Sequence, residues 1–282
     1  MLLGQNKMPY RGSVRDWFRD AFRGGTGTPM MMHQTISFPQ DKWPADCPPM
    51  TVAILSDLHM GCPAMTLERL DDLIGRVNAE KPDLVLLIGD YTNTESLNGR
   101  YIPPEEFVPS FKKLQARYGV YATKGNHDNV DDRSGTIEAF ENNGIRLLEN
   151  DAVRIYRPDQ GGKGIWLVGL PDQLTDTIDL KAAFAKVTSP EPVIVMAHNP
   201  LTFFKMDERV ALTMSGHNHA GQCRIPFAGA IYLPVSTTLR YAYGHIHEDN
   251  KDLFVGPGLG TSGLPVRVFC PAGVPLLKLG HG

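Results

Sequence analysis

The stretch Thr51-Val52-Ala53-Ile54-Leu55-Ser56-Asp57-Leu58-His59 decides how the chain reads. An apolar, β-rich run too short for a helix ends on polar residues that include an acid and an imidazole. The same grammar returns five times. Leu84–Ile88 runs into Gly89-Asp90, Gly119–Lys124 into Gly125-Asn126-His127-Asp128, and Ile165–Leu170 into Pro171-Asp172. Val193–Ala197 runs into His198-Asn199, and Val210–Ser215 into Gly216-His217-Asn218-His219. Between these runs, residues 66–80, 105–117 and 135–143 are predicted helices; Leu67, Leu70, Leu73, Ile74 and Val77 keep a helical period in the first. Strand, helix and strand within about 35 residues make a βαβ unit, so a largely parallel sheet covered by helices is predicted. Ligands of such sheets bind outside the carboxyl ends of the strands. The polar residues therefore converge because the strand ends do.

The chain has 282 residues, 42% apolar and 21% charged, an ordinary globular composition with ample length for a large core. A net charge of −3 excludes the footprint of a nucleic-acid polymer binder. Residues 1–30 hold five basic residues against two acidic ones, +3, which leaves −6 for the remainder. Four well-separated cysteines without a C-x-x-C pair predict reduced thiols. No apolar run approaches the ~20 residues of a membrane span, and the start of the chain lacks a signal-peptide pattern, so a cytoplasmic protein is expected.

Residues 1–49 read as a basic arm and linker, and residues 50–282 as the folded domain. Within the arm, Val14, Trp17, Phe18, Ala21 and Phe22 form the apolar face of an amphipathic helix over 13–23, with Arg15, Arg19 and Arg23 on the other side. That pattern suits packing on the domain or peripheral contact with an anionic membrane. The glycine- and proline-rich end, with β-rich pieces such as Leu264–Cys270, is expected to finish the sandwich or shape the rim of the site. Tyr241, Tyr243, His245 and His247 with Arg240 could line an entrance or sit in an exposed β-loop; Asp172 is expected to be a turn residue.

Five of the nine histidines, His59, His127, His198, His217 and His219, lie in the strand-end loops beside Asp57, Asp90 and Asn126. Burying such a cluster without a cation carries a large desolvation and repulsion cost. The donors outnumber the needs of one tetrahedral ion, so two divalent ions are expected. Imidazole, carboxylate and amide donors without a thiolate suit Mn²⁺, Fe or Zn²⁺. Two ions about 4 Å apart can polarise a phosphoryl group and activate a water.

Asp57-x-His59, Gly89-Asp90, Gly125-Asn126-His127-Asp128, His198 and Gly216-His217-x-His219, in this order, resemble the motif series of calcineurin-like metallophosphoesterases. The resemblance covers about residues 50–280 and implies an α/β/β/α four-layer sandwich. It implies one ion on Asp57, His59, Asp90 and His219, and another on Asp90, Asn126, His198 and His217, with Mn²⁺ foremost. A metal-bridging hydroxide would be the nucleophile, His127 would stabilise or protonate the reacting groups, and Asp128 would orient His127. Ser56-Asp57-Leu58-His59-Met60-Gly61, Gly216–Gln222 and Gly258-Leu259-Gly260-Thr261-Ser262 with Pro265-Val266-Arg267 look like the bacterial membrane-associated phosphodiesterase branch. Some relatives there cleave UDP-2,3-diacylglucosamine, so a phosphate ester of a lipid is the expected substrate. The chain departs from the family at Asn93, where many members carry a second Asp, and at Ala220, where a glycine is common. A soluble (cyclic) nucleotide phosphodiesterase is the alternative enzyme, and a non-catalytic scaffold the alternative class, which the complete donor set disfavours.

Overall fold

The computed structural model describes residues 27–129, 135–156, 162–226, 228–234 and 238–282. Its main strands form two facing sheets, whose central strands are buried on both faces. The first has the order β1 (Met30–Phe38), β14 (Gly273–His281), β2 (Met50–Leu55), β3 (Leu84–Ile88), β4 (Val120–Thr123), β5 (Arg146–Leu147). The second runs β12 (Gly244–Glu248), β13 (Lys251–Val255), β9 (Val210–Ser215), β8 (Val193–Ala197), β7 (Ile165–Leu170), β6 (Asp151–Ile155). Strands β2 to β5 are mutually parallel, as are β7, β8, β9 and β13; β14 lies antiparallel to β2, and β12 and β6 are antiparallel edges.

Val52, Ile54, Leu84, Leu86 and Ile88 on the first sheet meet Leu167, Ile194, Met196, Leu212 and Met214 on the second, in one dry layer. The alternate residues Ala53, Leu55, Val85 and Leu87 face outward against helix α1 (Leu67–Ala79), which buries Leu70, Leu73, Ile74 and Val77. Each such side chain contributes about 1.5–3 kcal/mol. The Thr66 hydroxyl starts α1 by accepting from the Arg69 N–H at 3.3 Å. Beyond the second sheet, Val168, Leu170, Val193 and Val195 pack with Ala183 of a short helix, Leu180–Phe184. The result is the expected α/β/β/α sandwich.

Three expectations need correction. The folded body begins before residue 50: β1 pairs in parallel with β14 over nine residues, and Trp43 and Cys47 are buried in the inter-sheet core. The helix expected over 13–23 lies outside the described residues. Residues 105–117 form no single helix; Pro104–Phe107 is α-helical and Val108–Lys113 a 3₁₀ turn, because Pro109 offers no N–H to continue the ladder. Leu264–Cys270 is not a strand either. Only Val268 bridges, to Cys223, and Pro265 interrupts the donors.

Candidate metal centre

Parallel strands end side by side, so β2, β3, β4, β8 and β9 deliver their terminal loops to one edge. Backbone contacts lock them there. The Asp57 N–H donates to the Gly89 carbonyl at 3.0 Å, the His59 N–H to the Asp90 carbonyl at 3.0 Å, and the Gly216 N–H to the His198 carbonyl at 3.0 Å. Gly89 and Gly125 permit the closest approach: a Cβ on Gly89 would lie 2.4 Å from the Gly125 nitrogen. Five of the seven expected donors hold left-handed backbone: Asp57, His59, Asp90, His217 and His219 have φ between 44° and 66°. Non-glycine residues adopt this region at a cost of about 1–3 kcal/mol, which the surrounding fold must offset.

These turns aim the donors inward. The Nε2 atoms of His59 and His219 are 3.1 Å apart, and His219 Nε2 is 3.6 Å from Asp57 Oδ1. Asp90 Oδ2 lies 3.6 Å from His59 Nε2 and 3.0 Å from His198 Nε2, and His217 Nδ1 is 3.3 Å from His198 Nε2. Two groups able to hold a cation result, Asp57 with His59 and His219, and Asp90 with His198 and His217. A third, His59, Asp90 and His127, lies between them. The His198 Nδ1–H donates to the Ile88 carbonyl at 2.8 Å, which turns its Nε2 to the cleft, where Asp90 holds the imidazole well above its ordinary value.

The donor set fits two divalent cations. Asp57 Oδ2, Asn126 Oδ1 and His217 Nε2 are buried without a hydrogen-bond partner, an arrangement a protein otherwise avoids. Burial holds the imidazoles of His59 and His217 down to about 3 and pushes the Asp57 carboxyl up to about 6. Burial alone would also raise Asp90, but His198, His127 and His59 hold it well below the usual carboxylate range. Neutral His59 and His217 beside an anionic Asp90 are ligand-ready forms, and a bound cation would take the place of the proton that Asp90 holds on His198.

His127 and Asp128 take different places. His127 stands at the mouth, with Nδ1 against the Thr94 hydroxyl and Nε2 3.6 Å from Glu95. Asp128 does not orient it. Its carboxylate accepts the backbone N–H groups of Asp90 at 2.7 Å, Tyr91 at 2.8 Å, Thr92 at 3.2 Å and Gly125 at 2.8 Å. Asp128 therefore ties the β3 and β4 loops together and so sets Asp90. Asp172 is a turn residue as expected, accepting from the Leu174 N–H at 2.8 Å. Tyr241 and Tyr243 are buried, and His245 and His247 both engage Asp252, at 2.7 and 3.1 Å; they close the β12–β13 hairpin instead of lining an entrance.

Sequence reasoning missed Arg267. Its buried guanidinium donates to the carbonyls of Gly260, at 2.9 and 2.7 Å, and Pro257, at 2.9 Å, and its Nη2 lies 3.2 Å from His219 Nδ1. The only signal was its place just beyond the Gly258–Ser262 loop, in Pro265-Val266-Arg267.

Two largely parallel, mixed sheets with acids and imidazoles gathered at the parallel strand ends define an α/β fold with a metal-binding site. Residues 50–249 match the family Calcineurin-like phosphoesterase, and the chain belongs to that family. A transmembrane protein with metallophosphoesterase domain from Danio rerio is 28% identical over 244 residues, 83% of this chain and 54% of that protein. The uncharacterized metallophosphoesterase YkuE of Bacillus subtilis is 27% identical over 225 residues, 79% of this chain and 77% of its own length. An uncharacterized metallophosphoesterase of Helicobacter pylori is 26% identical over 238 residues, 82% of this chain and 60% of its length. The chain thus spans between about half and three quarters of these relatives. The solved NAD nucleotidase of Haemophilus influenzae is similar at a TM-score of 0.48 and 13% identity, covering 76% of this chain and 46% of that one.

Proposed function

We propose that the protein hydrolyses a phosphodiester or pyrophosphate bond of a membrane-lipid-related substrate, with UDP-2,3-diacylglucosamine as the leading case, using two divalent cations, Mn²⁺ foremost. The observation that carries this reading is the pair of donor groups linked by Asp90, whose Oδ2 lies 3.6 Å from His59 of one and 3.0 Å from His198 of the other. Asp57, His59, Asp90 and His219 would hold one cation, and Asp90, Asn126, His198 and His217 the other. Bound there, the cations would neutralise the phosphoryl oxygens and make a water acidic enough to attack. His127 faces the incoming ester at the mouth and supplies a proton to the departing oxygen or stabilises its charge. Thr94 fixes its ring through Nδ1. Asp128 acts through the backbone, holding Asp90 between the two groups.

The lipid reading is supported by the motifs shared with the bacterial membrane-associated branch and by the aromatic and arginine pattern of residues 13–23. Within the folded domain, among the described residues, no helix is long and apolar enough to cross a membrane. We take the protein to work in the cytoplasm, peripheral to the membrane, in keeping with its four free cysteines.

Mn²⁺-loaded protein offered bis(p-nitrophenyl) phosphate, UDP-2,3-diacylglucosamine and cyclic nucleotides tests the reading. Turnover of the first two, lost together with both bound ions in Asp90→Ala, is the expected result. Preference for the cyclic nucleotides would replace the lipid substrate. No turnover of any ester by protein carrying two ions would end the hydrolase assignment.

A further inference from the structure

Two adjacent residues address both ring nitrogens of His127. Its Nδ1 meets the Thr94 hydroxyl, and its Nε2 lies 3.6 Å from Glu95 Oε1. The second contact is longer than a hydrogen bond, so Nε2 stays open to an ester while a carboxylate stands beside it. A carboxylate has no proton to give, and the contact favours the ring form that carries its proton on Nε2. Glu95 thus takes the place beside His127 that the family resemblance implies for Asp128, whose carboxylate is spent on the backbone.

The loop after β3 fixes Glu95 in this position. Asn93 Oδ1 accepts the Ser96 N–H at 3.0 Å, and its Nδ2 donates to the Arg100 carbonyl at 3.2 Å. An Asp at 93 could not make the second bond, so the residue at which the chain departs from its family shapes the turn that presents Thr94 and Glu95. The residues that follow are fastened to the loop after β13. The Ser262 hydroxyl donates to Glu95, the Ser96 hydroxyl to the Thr261 carbonyl, and the Leu97 N–H to the Gly263 carbonyl at 2.7 Å. Gln222, in the loop of the expected metal donor His219, steadies Ser262 in turn: its Oε1 accepts the Ser262 N–H at 2.9 Å, and its Nε2 donates to the Ser262 carbonyl at 3.1 Å. Among the described residues no lysine or arginine lies within 4.0 Å of Glu95, and its charge stays turned to the mouth.

Phosphate esters differ in the charge carried at the reacting phosphorus. A diester has one ionised oxygen there, whereas a monoester carries a charge of about −2 at pH 8. A fixed carboxylate beside the group that meets the ester repels the second charge on top of the first. The Glu95 side chain is 54% exposed, so water and salt hold that extra repulsion to about five- to tenfold in affinity.

We propose that Glu95 is a specificity-determining residue: its fixed charge beside His127 turns doubly charged phosphate monoesters away and admits singly charged diesters. The inference rests on the phosphoesterase reading above and adds which ester the mouth selects and the side chain that selects it. A pyrophosphate esterified at both ends carries one charge on each phosphorus and passes the same filter.

Mn²⁺-loaded full-length protein at pH 8, offered bis(p-nitrophenyl) phosphate and p-nitrophenyl phosphate, tests it. The ratio of kcat/KM for the diester over the monoester should fall at least about fivefold in Glu95→Gln, which removes the charge and keeps the shape. Glu95→Asp, which keeps the charge, should hold the ratio within about twofold of wild type. Calorimetry with orthophosphate, about doubly charged at this pH, gives a reading that needs no turnover: its affinity should rise at least about fivefold in Glu95→Gln. Raised salt should narrow the difference between wild type and Glu95→Gln. A wild-type ratio in Glu95→Gln would overturn the proposal. So would an equal loss of preference in Glu95→Asp, since shape and not charge would then select the ester, or a wild type that prefers the monoester. Failure of protein carrying two ions to cleave either ester would instead remove the phosphoesterase reading, and the orthophosphate affinities would still decide the role of Glu95.

Discussion

Replacing Gly125 by alanine should disable the centre without touching a donor. A Cβ built there lies 2.2 Å from Asp90 Oδ1 and 2.5 Å from the Asp90 nitrogen. Ordinary contact needs about 3.5 Å, so the carboxylate would have to retreat by about 1.3 Å. It has nowhere convenient to go. Its Oδ1 accepts from the His127 N–H at 3.0 Å, and its own N–H is held by Asp128 at 2.7 Å. Overpacking of this kind costs about 1–3 kcal/mol, a fall of several degrees in thermal midpoint for a chain of this size. The functional loss is larger, because metal donors tolerate only about 0.2 Å and a 1 Å misplacement costs about 10²-fold in rate. The expected variant is folded, carries fewer than two tightly held ions by elemental analysis, and turns over bis(p-nitrophenyl) phosphate about 10²-fold more slowly. Gly75→Ala, in an exposed part of α1 where nothing lies within 4 Å, is the control and should gain about 0.5–1 kcal/mol. Two ions at wild-type affinity with turnover within about twofold in Gly125→Ala would refute the reasoning.

Three further outcomes are expected. His127→Ala should lower turnover by about 10²–10⁴-fold with two ions still bound; loss of an ion would instead make His127 a ligand in the group it forms with His59 and Asp90. Arg267→Lys keeps the charge but loses the forked donors on Gly260, Pro257 and His219. It should weaken metal binding about 10–100-fold, read by competition with a chelating dye, and unchanged affinity would dismiss its positioning role. Chelator-treated protein should lose stability in urea as pH falls from about 6.5 to 4.5. Burial keeps His59 and His217 at about 3 and His219 well below its ordinary value, so below 6.5 the unfolded chain binds protons that the fold refuses. Asp57, raised to about 6, and Asp128, raised to about 7, take up protons in the fold, as do the raised Asp172 and Glu149, and offset part of this loss. His217→Asn should flatten this slope, and stability that rises towards acid would contradict it.

The strands β3, β7, β8 and β9 were legible to the residue because each is a short apolar run closed by a polar turn, a pattern contained within a few neighbours. Strand β1 was hidden. Its buried residues, Met32, Ile36 and Phe38, are separated by the exposed His33, Gln34 and Thr35, and its partner β14 lies some 240 positions away. Arg267 was hidden for a related reason, since a buried arginine bonded mainly to carbonyls has no local pattern.

The chain's own order of residues determined the strand ends, the donor types and the need for cations, because periodicity and ligand chemistry are local properties. Only the tertiary structure decided that Asp57 and His219, which belong to different sheets, share one cation-sized space. It also decided that Asp128 serves the backbone. Those outcomes depend on which strands become neighbours, and neighbours in a sheet are chosen by packing across the whole core, not by adjacency along the chain.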